Sequence, residues 1–293
     1  MKNNKNYFIG FGILAVLAVI FRIFDKKFAE LLFHRGNFFG GLCETVGSAL
    51  PFALCAFCFA TLIFCRHTRT TRIKNRILSV VFGIASLLSS AVTVYTAMIS
   101  SATKNYVAMA IAAIFLTSVF ITLGATLFKT SYQKILMTKH AKIGLISSAV
   151  SVCLYFVANL MPQRASYAAI VESIEKFGNP DTPSKFVPMI SLPGIGAALL
   201  LWIVCFSDIF PKFRFGKKYF FAVSVTVAAA MLFGVISSGN CYGSEFIYGL
   251  AVGCIVLFTT SSFVEKKNNR AIIFICKFNP LCCGVIITSA DKK

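Results

Sequence analysis

The chain has 293 residues, of which 57% are hydrophobic and only 13% charged; a soluble domain carries about a quarter charged residues. Its formal net charge is +19, but the basic residues fall in short clusters between apolar runs, which argues against a nucleic-acid partner and for the loops of a polytopic membrane protein. Runs of about 20 apolar residues are long enough to cross a hydrocarbon core of about 30 Å.

The first run, Phe8 to Phe24, follows Lys2 and Lys5 and has no clear small-residue cleavage site after it, so it reads as an uncleaved first span. Phe24, Phe28, Leu31 and Leu32 then recur at helical spacing, which predicts a short interfacial helix broken by Gly36, Gly40 and Gly41. A second span over about 46–65 ends in the basic stretch 66–76. Third and fourth spans, about 77–99 and 106–128, are joined by the polar turn SSATKN and followed by a basic segment over 129–142.

The fifth span covers about 143–161, and the longest inter-span loop, 162–185, follows it. Within that loop Ile170, Val171, Ile174 and Phe177 share one helical face and Gly178 is a stop signal, which predicts a short helix lying on the membrane surface. Sixth, seventh and eighth spans run over about 189–206, 219–238 and 246–264. Basic clusters follow the second, fourth, sixth and eighth spans, so charge bias places both termini and the loops 66–76, 129–142 and 211–218 in the cytoplasm.

The fold expected is therefore all-α: an integral membrane bundle of about eight helices, one domain over 1–270, with an apolar C-terminal tail over 271–293. A plasma-membrane location fits that pattern. Most of the eleven cysteines lie inside apolar runs, where a thiol packs as a small hydrophobe; this reading also covers the C-x-x-C pair Cys55 and Cys58. His34, His67 and His140 lack metal-ligand spacing, so no metal site and no cofactor are expected. Gly249-x-x-x-Gly253 offers a small surface for close helix approach within the chain.

Several short motifs occur in a telling order: Phe24-Asp25, then Gly36-Asn37-Phe38-Phe39-Gly40, then Glu44, Gly47 and Pro51; Arg164 after the fifth span; Ser191-Leu192-Pro193-Gly194-Ile195-Gly196 opening the sixth; and Gly234-Val235, Cys241 and Glu245 leading into the eighth. In this order they resemble the type 2 phosphatidic acid phosphatase family, over about Phe24 to Val264, with a phosphatase-like core over 143–264. The resemblance implies a lipid-phosphate site at the outer mouth of the helices, built from cations, a nucleophile and an acid.

Most of that chemistry is replaced. Arg164 fits the family's first-motif arginine, but Val157 stands for its lysine and Ala165 for its proline. Gly194 stands for the second-motif serine and Gly196 for the acid histidine. In the third motif Val235 stands for the arginine, Cys241 for the nucleophilic histidine and Glu245 for the aspartate that orients it. The resemblance thus implies a catalytically impaired relative, with Gly196, Cys241 and Glu245 at the catalytic positions, Arg164 and Lys185 as candidate phosphate-binding residues, and membrane lipids, lipid phosphates among them, as partners. Two alternatives stay open: an active lipid or polyprenyl phosphate phosphatase with a rearranged site, and a small-solute transporter. Against the transporter, the spans carry almost no internal charge.

Overall fold

The computed structural model describes residues 4–65, 72–98, 105–161, 163–177, 186–209 and 216–278. In chain order these form α1 (Asn4–Leu32), α2 (Phe38–Cys65), α3 (Arg72–Met98), α4 (Tyr106–Leu127), α5 (Ser131–Ala158), β1 (Arg164–Ala165), α6 (Tyr167–Phe177), β2 (Phe186–Val187), α7 (Leu192–Leu199), a 3-10 turn (Leu200–Cys205), α8 (Phe206–Ile209), α9 (Gly216–Ser238) and α10 (Gly243–Phe278). Seven segments among the described residues are long and apolar enough to cross a membrane: α2, α3, α4, α5, the run from α7 through α8, α9 and α10. The architecture is an all-α polytopic membrane bundle.

The remaining expected span coincides with α1. This helix carries Arg22, Asp25, Lys26 and Lys27 in its second half. It also absorbs the short interfacial helix expected after Phe24. No glycine or proline interrupts the chain between Gly12 and Gly36, so the helix runs on to Leu32. Gly36, at φ 71°, makes the turn, whereas Gly40 and Gly41 lie inside α2 rather than breaking a helix. At Gly40 a side chain would run into the Gly234 carbonyl and the Ser238 amide of α9.

A second difference lies at 129–142, expected as a loop. Thr130 accepts a bond from the Gln133 amide while the Gln133 side chain accepts one from the Thr130 amide. This reciprocal cap starts α5 at Ser131. Lys134, Lys139 and Lys142 therefore lie on the first turns of a spanning helix, from which long basic side chains reach an interface.

Helix α2 packs against α3, α4, α5, α7 and α9, and α10 against α1, α5 and α7. One end of the bundle is tied by Thr138 donating to the Cys65 carbonyl at 2.6 Å and by Lys139 pairing with Glu265 at 3.1 Å. The opposite end is tied by Asn37 donating to Ser237 at 2.9 Å and by the Ala168 amide donating to the Gly239 carbonyl at 3.0 Å. The helices thus alternate in direction, and the described basic residues that start α3, α5 and α9 collect at the first end.

At the second end a two-stranded antiparallel pairing, Arg164 with Val187 and Ala165 with Phe186, closes the long loop over the helix ends. Helix α6 forms where the apolar spacing predicted it. Its buried residues are Ala169 and Ser173, one turn apart, while Ile174 is exposed. Gly178 lies outside the described residues, as does the chain beyond Phe278; the expected tail is helical from Ala271 to Phe278, as the continuation of α10.

Candidate functional site

The second end gathers the polar residues that the motifs singled out. Tyr242 precedes α10 and has no side chain able to cap its first amides. Asp25 of α1 does this across the bundle: its Oδ1 accepts from the Ser244 amide at 2.9 Å, and its Oδ2 accepts from the Ser244 hydroxyl. Glu245, in the first turn of α10, accepts from the Tyr242 amide through Oε2 at 2.9 Å. A carboxylate here also faces the positive end of the helix dipole.

Arg164 closes the cluster. Its Nε donates to Glu245 Oε1 at 2.5 Å, and its Nη2 donates to Asp25 Oδ2 at 2.6 Å and to the Ser244 hydroxyl at 3.0 Å. The guanidinium lies 3.7 Å above the Tyr242 ring centre. Asp25 and Glu245 are 4% and 2% exposed, while the Arg164 side chain retains 32%. Burial works against the Arg164 charge, but Glu245 and the hydrogen bonds from both carboxylates outweigh it and raise its pKa. Two carboxylates share one guanidinium, so these three residues together carry one negative charge.

Cys241 sits beside this cluster, 6% exposed, with its thiol donating to the Tyr242 carbonyl at 3.4 Å. Burial, followed by the Glu245 charge, pushes its pKa well above the ordinary thiol value. A nucleophilic cysteine needs the opposite shift. On the same rim Asn240 donates to Glu44 of α2 at 2.7 Å.

Arg164, Cys241 and Glu245 are therefore brought together. Gly196 is not part of that group. The helix start is anchored by the Ser191 amide donating to the Glu245 carbonyl at 3.1 Å, and Gly196 lies five residues on, about 7.5 Å deeper at helical rise. There it borders an apolar cleft with Leu50, Phe57, Leu199 and Trp202. A Cβ at 196 would fall on the Gly47 carbonyl of α2, and one at 194 on the Phe246 carbonyl of α10. The Gly194 amide already donates to the Ser191 hydroxyl at 3.1 Å. Both glycines serve close helix approach. Gly249 and Gly253 complete the same seam, packing on Ser191 and Ala198 of the α7 segment. Lys185 lies outside the described residues.

Sequence reasoning noted Asp25 only as part of a weak motif and gave it no role, and it passed over Ser244. The available signal was the Phe24-Asp25 pair at the end of the apolar run Phe8 to Phe24, since a carboxylate that is buried needs a partner. Among the described residues no group of three or more His, Cys, Asp or Glu side chains is arranged to hold a metal ion, and Cys43, Cys55, Cys58, Cys65, Cys153, Cys205, Cys241 and Cys254 are free thiols. No family model, curated protein or solved structure matches the chain.

Proposed function

We propose that this membrane bundle keeps a frame like that of the type 2 phosphatidic acid phosphatases without their phosphoryl-transfer chemistry, and that it acts through its outward polar end as a lipid-facing binding or scaffolding protein. One observation carries the reading: the arginine at the phosphate-holding position is engaged by two internal carboxylates, Asp25 and Glu245. A phosphate group would have to displace one of them and enter a cluster already carrying a negative charge.

The three other requirements for turnover point the same way. The acid position is a glycine with no room for a side chain, the nucleophile position is a thiol held protonated, and the second-motif serine is a glycine packed on α10. On this reading Arg164 is first a structural latch, joining α1, the long loop and α10, and the anionic-headgroup preference implied by the resemblance is weak or lost. The bundle resides in the plasma membrane with both termini cytoplasmic.

The test is purified protein in nanodiscs, assayed with phosphatidic acid and with undecaprenyl pyrophosphate. No phosphate release above a matched empty-disc preparation is expected. Turnover that disappears in both Cys241→Ala and Arg164→Ala would overturn the proposal and favour a rearranged active phosphatase.

A further inference from the structure

The cleft beside Gly196 is a half-open groove of about 290 Å³ lined by apolar side chains. Leu50, Leu54 and Phe57 of α2 face it at helical spacing. They lie about 18–28 Å along a helix whose 28 residues span about 42 Å, so the groove sits at mid-depth in the membrane.

Its walls follow from the packing. Helix α4 packs on α2 and α3, while α7 packs on α2, α5, α9 and α10, so α2 floors the space between α4 and α7. The 3-10 turn, at about three residues per turn, sets Leu200 and Ile203 one above the other along the α7 wall. Phe120 supplies the α4 wall. Its ring meets Phe57 edge-on with centres 5.7 Å apart, and Phe57 meets Trp202 edge-on at 6.0 Å. Trp202 is 3% exposed and is held from behind by its N–H bond to the His140 carbonyl.

Water is a poor occupant, because each molecule needs about two to four polar partners and this lining is apolar. An empty groove would forfeit dispersion contacts along its whole lining. A dry cavity of about 150 Å³ lined by Leu, Ile and Phe binds benzene, and this groove has about twice that volume. A helix from a second copy, about 10 Å across, is too bulky for it. The material that surrounds the bundle at this depth is acyl chain, which is thin and flexible enough to enter. We propose that the groove between α4 and α7 seats one acyl chain of a bilayer phospholipid, laid across Phe57 and against Trp202. The site is separate from the Arg164 cluster, so phosphate release or its absence has no bearing on it.

Trp202 is the chain's one tryptophan, which makes its fluorescence a reporter of the groove. The test places the protein in phosphatidylcholine vesicles whose chains are either plain or brominated near the methyl end, since bromine quenches indole at short range. Wild type is expected to be several-fold dimmer in the brominated vesicles. In mixed vesicles its fluorescence should fall in direct proportion to the mole fraction of brominated lipid, the mark of a single seat. Leu54→Phe and Leu200→Phe, each bringing a bulkier side chain into the groove, are expected to recover much of the fluorescence. Equal fluorescence in both vesicles would overturn the proposal, whether the groove is closed, or filled by a second copy or by residues outside those described. A fall steeper than proportional, or quenching undiminished in both folded variants, would overturn it too, because unseated lipid would then suffice. Should neither variant fold, the proportionality in wild type decides alone.

Discussion

The carbonyl of Gly47 points at the Cα of Gly196, across the contact between α2 and α7. Pro51 lies one turn after Gly47 inside α2 and has no N–H to give that carbonyl. The freed oxygen packs instead against a residue with no side chain, a geometry suited to a weak Cα–H···O contact. One helix thus lacks a backbone bond where the other lacks a side chain, and the two deficits fit together.

Substitution at 196 tests this fit. Gly196→Ala is expected to destabilise by about 1–3 kcal/mol, the usual cost of overpacking a filled interior, read as a lower melting temperature in detergent. Gly196→His, which restores the residue type of the resembled family, is expected to be less stable still and to release no phosphate from phosphatidic acid. A stable, active Gly196→His protein would mean that the helices separate readily at this point.

Removing the Arg164 side chain strands two buried carboxylates. Arg164→Ala is expected to lose about 3–5 kcal/mol, the range for breaking a buried ion pair on one side, with the lower end favoured because the guanidinium is partly exposed. Asp25→Asn/Glu245→Gln in the same background is expected to recover much of the loss. Lipid binding separates the latch from a phosphate anchor: wild type, Arg164→Lys and any folded Arg164→Ala protein should hold phosphatidic acid no better than phosphatidylcholine. A preference for phosphatidic acid in wild type that Arg164→Lys loses would make Arg164 a headgroup ligand.

The raised pKa of Cys241 gives an alkaline signature. Its folded value lies above the unfolded value of about 8.5, so the folded state holds the thiol proton more tightly. Its contribution to stability is complete below that unfolded value and is lost as pH rises toward the folded one. Melting temperature measured through the alkaline range should therefore fall more steeply for wild type than for Cys241→Ala. Parallel curves would place Cys241 in a more hydrated setting.

Orientation follows from the two unlike ends. Reporter fusions within 66–71 and 211–215 are expected on the cytoplasmic side, and fusions near Asn240 on the opposite side, because basic residues gather at the first end and the acid-rich cluster at the second. The reverse result would turn the Arg164 cluster toward the cytoplasm and remove the topological argument for a lipid-phosphatase-like frame.

The sequence by itself determined the class, the helix count to within one, and the alternation of the two ends. Apolar run length and basic clustering are local quantities that survive without knowledge of packing. It also located α6 and the seam at Gly249 and Gly253, since helical spacing is local as well. It read α1 as a span to Phe24 and a separate short interfacial helix, because amphipathic spacing marks a face and not an end, it took Gly40 and Gly41 for breaks although they lie inside α2, and it read 129–142 as a loop because charge was weighed before the Thr130–Gln133 cap. The tertiary structure alone decided what the site residues do. Asp25 and Arg164 are separated by more than a hundred residues of sequence, and only the docking of α1 beside α10 and the closing of the long loop bring their charges within hydrogen-bond reach. Likewise the glycine at 196 looks from sequence like a missing acid; the Gly47 carbonyl pressed against it makes it a packing surface.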